Sequence, residues 1–225
     1  MLNERRFFLS LMPYLLLLVA GVVDSVGFLH LKDGVFASFM SGNSTHLGMM
    51  LSYDDIPRAS IYIAILGIFI IGAMSGELIA LSSRRFYRGV VMASVSVVLL
   101  FATIMQYYVP FLAVNFIICY AMGMQNIALR LTIEKAIPLT YATGYLVNIG
   151  RLLALAIVGK GDKKRLLQYL GLWGSLISGA VIGGVIMQTI PQYSLLPALA
   201  LTISIAITLL YIEQTHRSTP IDTEL

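Results

Sequence analysis

A carboxylate inside a long apolar run is the first feature of this sequence that invites chemistry. Asp24 lies within the stretch from about 9 to 30, where an acid costs about 2.5–3.5 kcal/mol on insertion scales. Something has to compensate that cost. As a functional group, Asp24 can carry a proton, hold a cation or receive a substrate amine; as a structural group it would be hydrogen-bonded to a neighbouring helix or to a broken segment nearby.

Ser41-Gly42-Asn43 and Thr143-Gly144 form a second constellation. Glycine admits unusual backbone angles and a hydroxyl can cap a half-helix. An interruption there would aim free N–H groups at an anion, or open carbonyls at a cation. Such breaks survive at membrane depth only when buried in protein or lining a cavity. The plainer alternative is close helix packing through small residues. Gln125 and Asn126 add an amide pair that can hydrogen-bond a solute or an adjacent helix, and the sequence reading sets them opposite Asp24. His46 is a protonation switch in waiting, or simply a hydrogen-bonded histidine. Glu77 is a candidate cytoplasmic gate, with snorkelling toward the arginines at 84–88 as the alternative. Asn43-Ser44-Thr45 matches a glycosylation pattern by chance, given its predicted depth.

The elements that must position these groups follow from composition. Of 225 residues, 58% are hydrophobic and 12% charged, about half the charged fraction of an ordinary soluble domain. Six segments are long and apolar enough to cross a bilayer, about 9–30, 60–82, 89–108, 110–130, 166–188 and 194–212. Two more, about 35–52 and 137–158, are apolar but broken. The first span continues to about Leu29 without a small-residue cleavage site, so it reads as a retained helix. Cys119 is the only cysteine, which excludes an internal disulfide and a cysteine-based metal cluster. The net charge of +4 reflects topology and not nucleic-acid binding, because Lys and Arg collect in cytoplasmic loops. With six crossings and both termini cytoplasmic, the outside keeps only Lys32 and Arg58; with eight, the Arg84, Arg85, Arg88 cluster would face outward. Six crossings plus two re-entrant segments is therefore the expectation, in a bacterial cytoplasmic membrane.

Sliding the sequence by 102 residues superposes its most polar intramembrane region on itself. Gly21 falls on Gly123, Asp24 on Asn126, Ser38 on Thr140, Ser41 on Thr143, Gly42 on Gly144, Gly48 on Gly150 and Gly72 on Gly174. Three crossings per half make the second half begin on the opposite face. The expected fold is thus an all-α integral membrane protein of two inverted three-span repeats, residues 1–108 and 109–213, with a short polar tail at 214–225. Inverted repeats are a common basis of alternating access in secondary transporters.

The elements Ala20-Gly21-Val22-Val23-Asp24-Ser25-Val26-Gly27-Phe28, Phe36-Ala37-Ser38-Phe39-Met40-Ser41-Gly42-Asn43, Gly123-Met124-Gln125-Asn126 and Thr143-Gly144 resemble the YoaK family, also called DUF1275, over essentially the whole chain. Ser41 stands where that pattern more often has Thr, which keeps the hydroxyl. The resemblance implies a multi-pass membrane protein and names no substrate.

These observations point to a small-solute transporter coupled to protons through Asp24, with Asp24, Ser41, Gly42, Asn43, His46, Gln125, Asn126, Thr143 and Gly144 as solute or ion ligands. Its expected partners are the lipid bilayer and a small solute, with no cofactor, no metal and no nucleic acid; small-residue faces suit a homodimer as well as packing within a monomer. The alternatives are an intramembrane hydrolase using Ser41 and His46, and a scaffold or channel. The hydrolase would need a base within reach of the serine and an oxyanion hole.

Overall fold

The computed structural model describes residues 2–30, 34–83, 86–130 and 142–215. The arginines at 84 and 85, Lys135, the first residues of the 137–158 segment and residues 216–225 of the tail lie outside them. Eight α-helices follow in order among the described residues: α1 Leu2–His30, α2 Met40–Ser52, α3 Ile56–Ser82, α4 Tyr87–Met105, α5 Phe111–Arg130, α6 Ala142–Ile157, α7 Lys163–Thr189 and α8 Leu196–Thr215. A 3-10 turn at Pro191–Tyr193 precedes α8. Six helices, all but α2 and α6, are long and apolar enough to cross a membrane. Their outward faces carry residues such as Ile63, Ile70, Met74, Leu78 and Leu81 on α3 and Leu167, Val181 and Val185 on α7, the surface that acyl chains would wet.

Helix directions follow from which residues meet. Tyr14, Leu18 and Val22 of α1 lie at Gly171, Gly179 and Gly183 of α7, so those helices run parallel. Phe69 and Gly76 of α3 likewise meet Gly123 and Met124 of α5. Helices α1 and α5 run antiparallel, because Gln125 donates to the Leu16 carbonyl at 3.1 Å while Gly27 faces Asn115. Helices α4 and α8 are also antiparallel: Glu213 meets the start of α4, and Gln192 meets its end. Helices α1, α3 and α4 therefore run opposite to α5, α7 and α8 respectively.

Two apolar clusters fill the bundle. One joins Val22 and Val26 of α1 to Leu99 of α4, Ile118 of α5 and Ala198 near the start of α8; the other joins Leu16 and Leu17 to Met92, Ala128 and Ile205 nearer the opposite end. The four helices α1, α4, α5 and α8 thus supply most of the interior, with α3 and α7 outside them. Helices α2 and α6 lean on α3 and α7 respectively.

The close crossings need glycine. A methyl added at Gly21 would collide with the backbone of Leu176 and Ala180, and one at Gly123 with the backbone of Phe69 and Ala73. Equivalent contacts on the partner helices are made by Gly179 against Leu18 and Gly72 against Tyr120. The counterpart of Gly72 is therefore Gly179, and the expected match of Gly72 with Gly174 is corrected: a methyl on Gly174 would meet nothing. The offset is 102 residues for α1/α5 and α2/α6, but 107 for α3/α7, as from Gly72 to Gly179. The shift arises because α6 has 16 residues against 13 in α2, and because residues 158–162 connect α6 to α7 where only 53–55 connect α2 to α3. The helix starts carry the same offset. Asp55 accepts from the Arg58 backbone N–H at 3.1 Å and Asp162 from that of Arg165 at 3.1 Å, each satisfying an N–H that the first helical turn leaves unpaired.

Gly21→Leu and Gly123→Leu should each destabilise the detergent-solubilised protein by about 1–3 kcal/mol or more, the usual cost of overpacking, whereas Gly174→Ala should stay within about 0.5 kcal/mol of the parent. Thermal unfolding followed by size-exclusion chromatography checks the contrast.

Candidate functional site

Chain direction reverses twice near Asp24. Helix α1 ends at His30, and residues 34–39 then descend along it, with the Val35 carbonyl beside Gly27 and Ser38 beside Asp24. At Met40 the chain turns into α2 and climbs back toward the start of α3. Asp24 lies six residues before the end of α1, so the segment re-enters by roughly 9 Å at 1.5 Å per residue. The expected re-entrant reading of 35–52 thus has a definite form: an extended descent followed by a half-helix.

Asp24 holds the chain just before the half-helix. Its Oδ1 accepts from the Ser38 backbone N–H at 2.6 Å and its Oδ2 from the Ser38 hydroxyl at 2.7 Å. No side chain of the helix's own N-cap residue, Phe39, performs this task. Asp24 therefore anchors, from another helix, the chain two residues before α2, near the end where the half-helix presents partial positive charge. Charge-assisted bonds of this kind are roughly twice as strong as neutral ones.

Asn43 fixes the descending strand from the other side. It is fully buried, accepts from the Phe36 N–H at 3.1 Å and donates to the Phe36 carbonyl at 2.7 Å, pairing with one residue's backbone as a β-neighbour would. Gly42 lets the rings of Phe39 and Phe36 lie against the first turn of α2, and Phe36 in turn stacks on Phe28 at 5.0 Å. Gly34 makes the turn possible with φ of 63°, a left-handed conformation that glycine adopts at little cost.

The remaining expected ligands divide. Ser41 is exposed on α2, away from Asp24, and Thr143 is exposed at the equivalent position of α6. His46 Nδ1 lies 2.9 Å from the Tyr62 hydroxyl on α3. Ser41 and His46 are five residues apart, about 140° around the helix, and the structure does not bring them together. Gly144 is buried, and its carbonyl accepts from Asn148 at 2.8 Å. Gln125 is buried against α1, while Asn126 turns back to the Met122 carbonyl of its own helix at 2.9 Å. This amide pair was expected opposite Asp24. Because α1 and α5 run antiparallel, with Leu16 level with Gln125 and Gly27 level with Asn115, the pair sits instead roughly 12 Å along the bundle from Asp24. Glu77 is half-buried on α3, five residues before the helix ends at Ser82; with the 107-residue offset its counterpart is Gly184.

Three residues that matter escaped the sequence reading. Ser38 is 3% exposed and supplies both donors to Asp24; its pairing with Thr140 in the repeat was the available signal. Asn115 is buried in α5, and its counterpart, Pro13, gives the repeat no hint of it. Glu213 is 4% exposed near the end of α8 and accepts from the Arg88 and Gly89 N–H groups at 3.2 and 3.0 Å. It caps α4 from across the bundle, whereas Asp24 acts on Ser38, two residues before α2. No group of three or more His, Cys, Asp or Glu suited to a metal occurs among the described residues.

Comparison with known proteins agrees with this architecture. A family model described as a protein of unknown function, DUF1275, matches residues 12–208. The chain is 29% identical over 183 residues to a UPF0700 transmembrane protein of Rhizobium meliloti (strain 1021), covering 81% of this chain and 78% of that one. No solved structure matches it.

Asp24→Asn leaves the side chain's size unchanged but removes the charge and one acceptor oxygen. Losing charged hydrogen bonds worth about 1.5–3 kcal/mol should speed amide hydrogen exchange across 36–39 about tenfold or more, while Ser41→Ala should leave those amides at the parent rate. Mass-spectrometric exchange in detergent or nanodiscs measures both.

Proposed function

The chain belongs to the DUF1275 family of multi-pass membrane proteins, and from that premise we propose that it is a small-solute secondary transporter that alternates access through two inverted repeats and couples to protons at Asp24. The observation that carries the proposal is the anchoring of Ser38, at the entry to α2, by an intramembrane carboxylate. A purely structural anchor could be made by a serine or asparagine, without the insertion cost of an acid. Placing the anchor on a different helix makes the position of the re-entrant segment depend on one ionisable group.

The repeat supports the same reading. The opposed directions of α1 and α5, α3 and α7, and α4 and α8 relate two halves by a pseudo-two-fold axis in the membrane plane. Helices α2 and α6 start in equivalent places and climb toward opposite ends. Broken helices at such a repeat interface are where transporters of this design hold solutes and coupling ions.

The working cycle is as follows. Ionised Asp24 holds Ser38 and closes the path beside α1 from the His30 end. Protonation replaces charge-assisted bonds with neutral ones, loosens the descending strand and lets α2 move with α3. The solute enters against the exposed backbone, and closure of this segment accompanies movement of α6 with α7. Proton release to the opposite face resets the anchor. Energy passes between proton and solute because both bias one two-state element.

The membrane orientation proposed is cytoplasmic for the end where α1, α4 and α7 begin. Among described residues that end carries Arg88, Arg151, Lys160, Lys163, Lys164 and Arg165, and the other end Arg58, the asymmetry that the positive-inside rule requires. The bacterial cytoplasmic membrane is the proposed location.

In proteoliposomes, wild type should accumulate at least one member of a solute panel when a pH gradient is imposed, and Asp24→Asn should lose about tenfold or more of that uptake while remaining monodisperse. Gradient-independent flux in both, or no flux in either, overturns the proposal. A reporter fused after Arg88 should read as cytoplasmic; an external reading overturns the orientation.

A further inference from the structure

Helices α6 and α7 part where α7 begins, leaving a hollow of about 240 Å³. On the helices it is lined by the apolar Leu152, Ala156 and Leu166, and at their ends by the connecting loop and Lys163, the first residue of α7. A methyl on Gly159 of that loop would meet nothing, so this side of the hollow is open. Positive charge gathers around it. Lys160, Lys163, Lys164 and Arg165 lie within six residues of one another and are all exposed. Arg165 pairs with Asp162 at 3.3 Å; among the described residues no ion pair engages Lys160, Lys163 or Lys164. Within about a turn of these cations the two helices expose Leu153 and Ile157 of α6 and Leu167 of α7. The corresponding junction of the first half carries Asp54, Asp55 and Arg58, a charge of the opposite sign. Topology alone accounts for cations at a cytoplasmic end, but not for an apolar-lined space between two helices beside them.

We infer that this hollow holds the headgroup of an anionic glycerophospholipid, whose acyl chains lie along the exposed apolar faces of α6 and α7. Lysine ammonium groups make charge-assisted bonds to phosphate, the start of α7 adds its positive dipole end, and basic pockets between membrane helices suit acidic headgroups. The hollow is too small for the chains of a lipid and opens onto surfaces that such chains wet, so an amphiphile fits both parts. A zwitterionic headgroup would bring its own cation into the cluster. Because α6 leans on α7, an occupied site ties the second short helix to its spanning partner. The inference goes beyond the transport reading and does not depend on it.

Native mass spectrometry of the full chain in detergent, titrated with phosphatidylglycerol or with phosphatidylcholine of the same acyl chains, tests it. Phosphatidylglycerol should bind about tenfold tighter or more. Lys160→Gln combined with Lys163→Gln, both at exposed positions, should abolish that preference. Arg58→Gln combined with Arg151→Gln removes the same charge from residues that do not line the hollow, and should keep it. Equal affinity for the two lipids in wild type overturns the inference. So does a preference that survives the lysine substitutions, or one lost equally with the arginines, which would assign it to overall charge. Excess glycerol 3-phosphate should leave the lipid in place; displacement would make this a site for soluble phosphate and overturn the lipid assignment.

Discussion

A non-helical stretch inside a bilayer exposes backbone N–H groups to hydrocarbon, and the arrangement of this chain follows from how the residues before α2 avoid that. The carboxyl of Asp24 receives the Ser38 N–H and hydroxyl. Neither partner is tolerable alone: the acid would be an unpaired charge at depth, and the Ser38 N–H and hydroxyl unsatisfied donors. Together they offset each other. The descending strand is then fixed on its far side by Asn43 and Phe36, so its position depends on two polar contacts made by side chains from different helices.

The rest of the bundle brings these elements close. In lipid there is little hydrophobic force between helices, and close backbone approach supplies the packing instead. Gly21 and Gly179 do this for α1 and α7, and Gly123 and Gly72 for α3 and α5. Because each of these crossings joins one half to the other, the halves are interlocked and not merely adjacent. Helices α4 and α8 close the bundle through Glu213 at one end and the Gln192 carbonyl, held by Gln106 and Tyr107, at the other.

Departures from the repeat are as informative as the matches. Asp24 has Asn126 as its counterpart, Asn115 has Pro13, and Glu77 has Gly184. Of these pairs, both carboxylates lie in the first half of the chain.

Composition and apolar run length alone determined the membrane class and the six helices long and apolar enough to cross, since span length is dictated by bilayer thickness and the absence of charge by its dielectric. The importance of Asp24 and of the break near residue 40 was equally legible, because each violates a local rule. What the sequence could not give was depth and partner. Ser38 looks like any loop serine until the chain doubles back beside α1, and Asn115 like any helix amide until Gly27 and Val35 arrive next to it. The amide pair at 125 and 126 was misplaced for the same reason: a repeat reports which positions correspond, whereas only the antiparallel packing of α1 on α5 decides which positions meet.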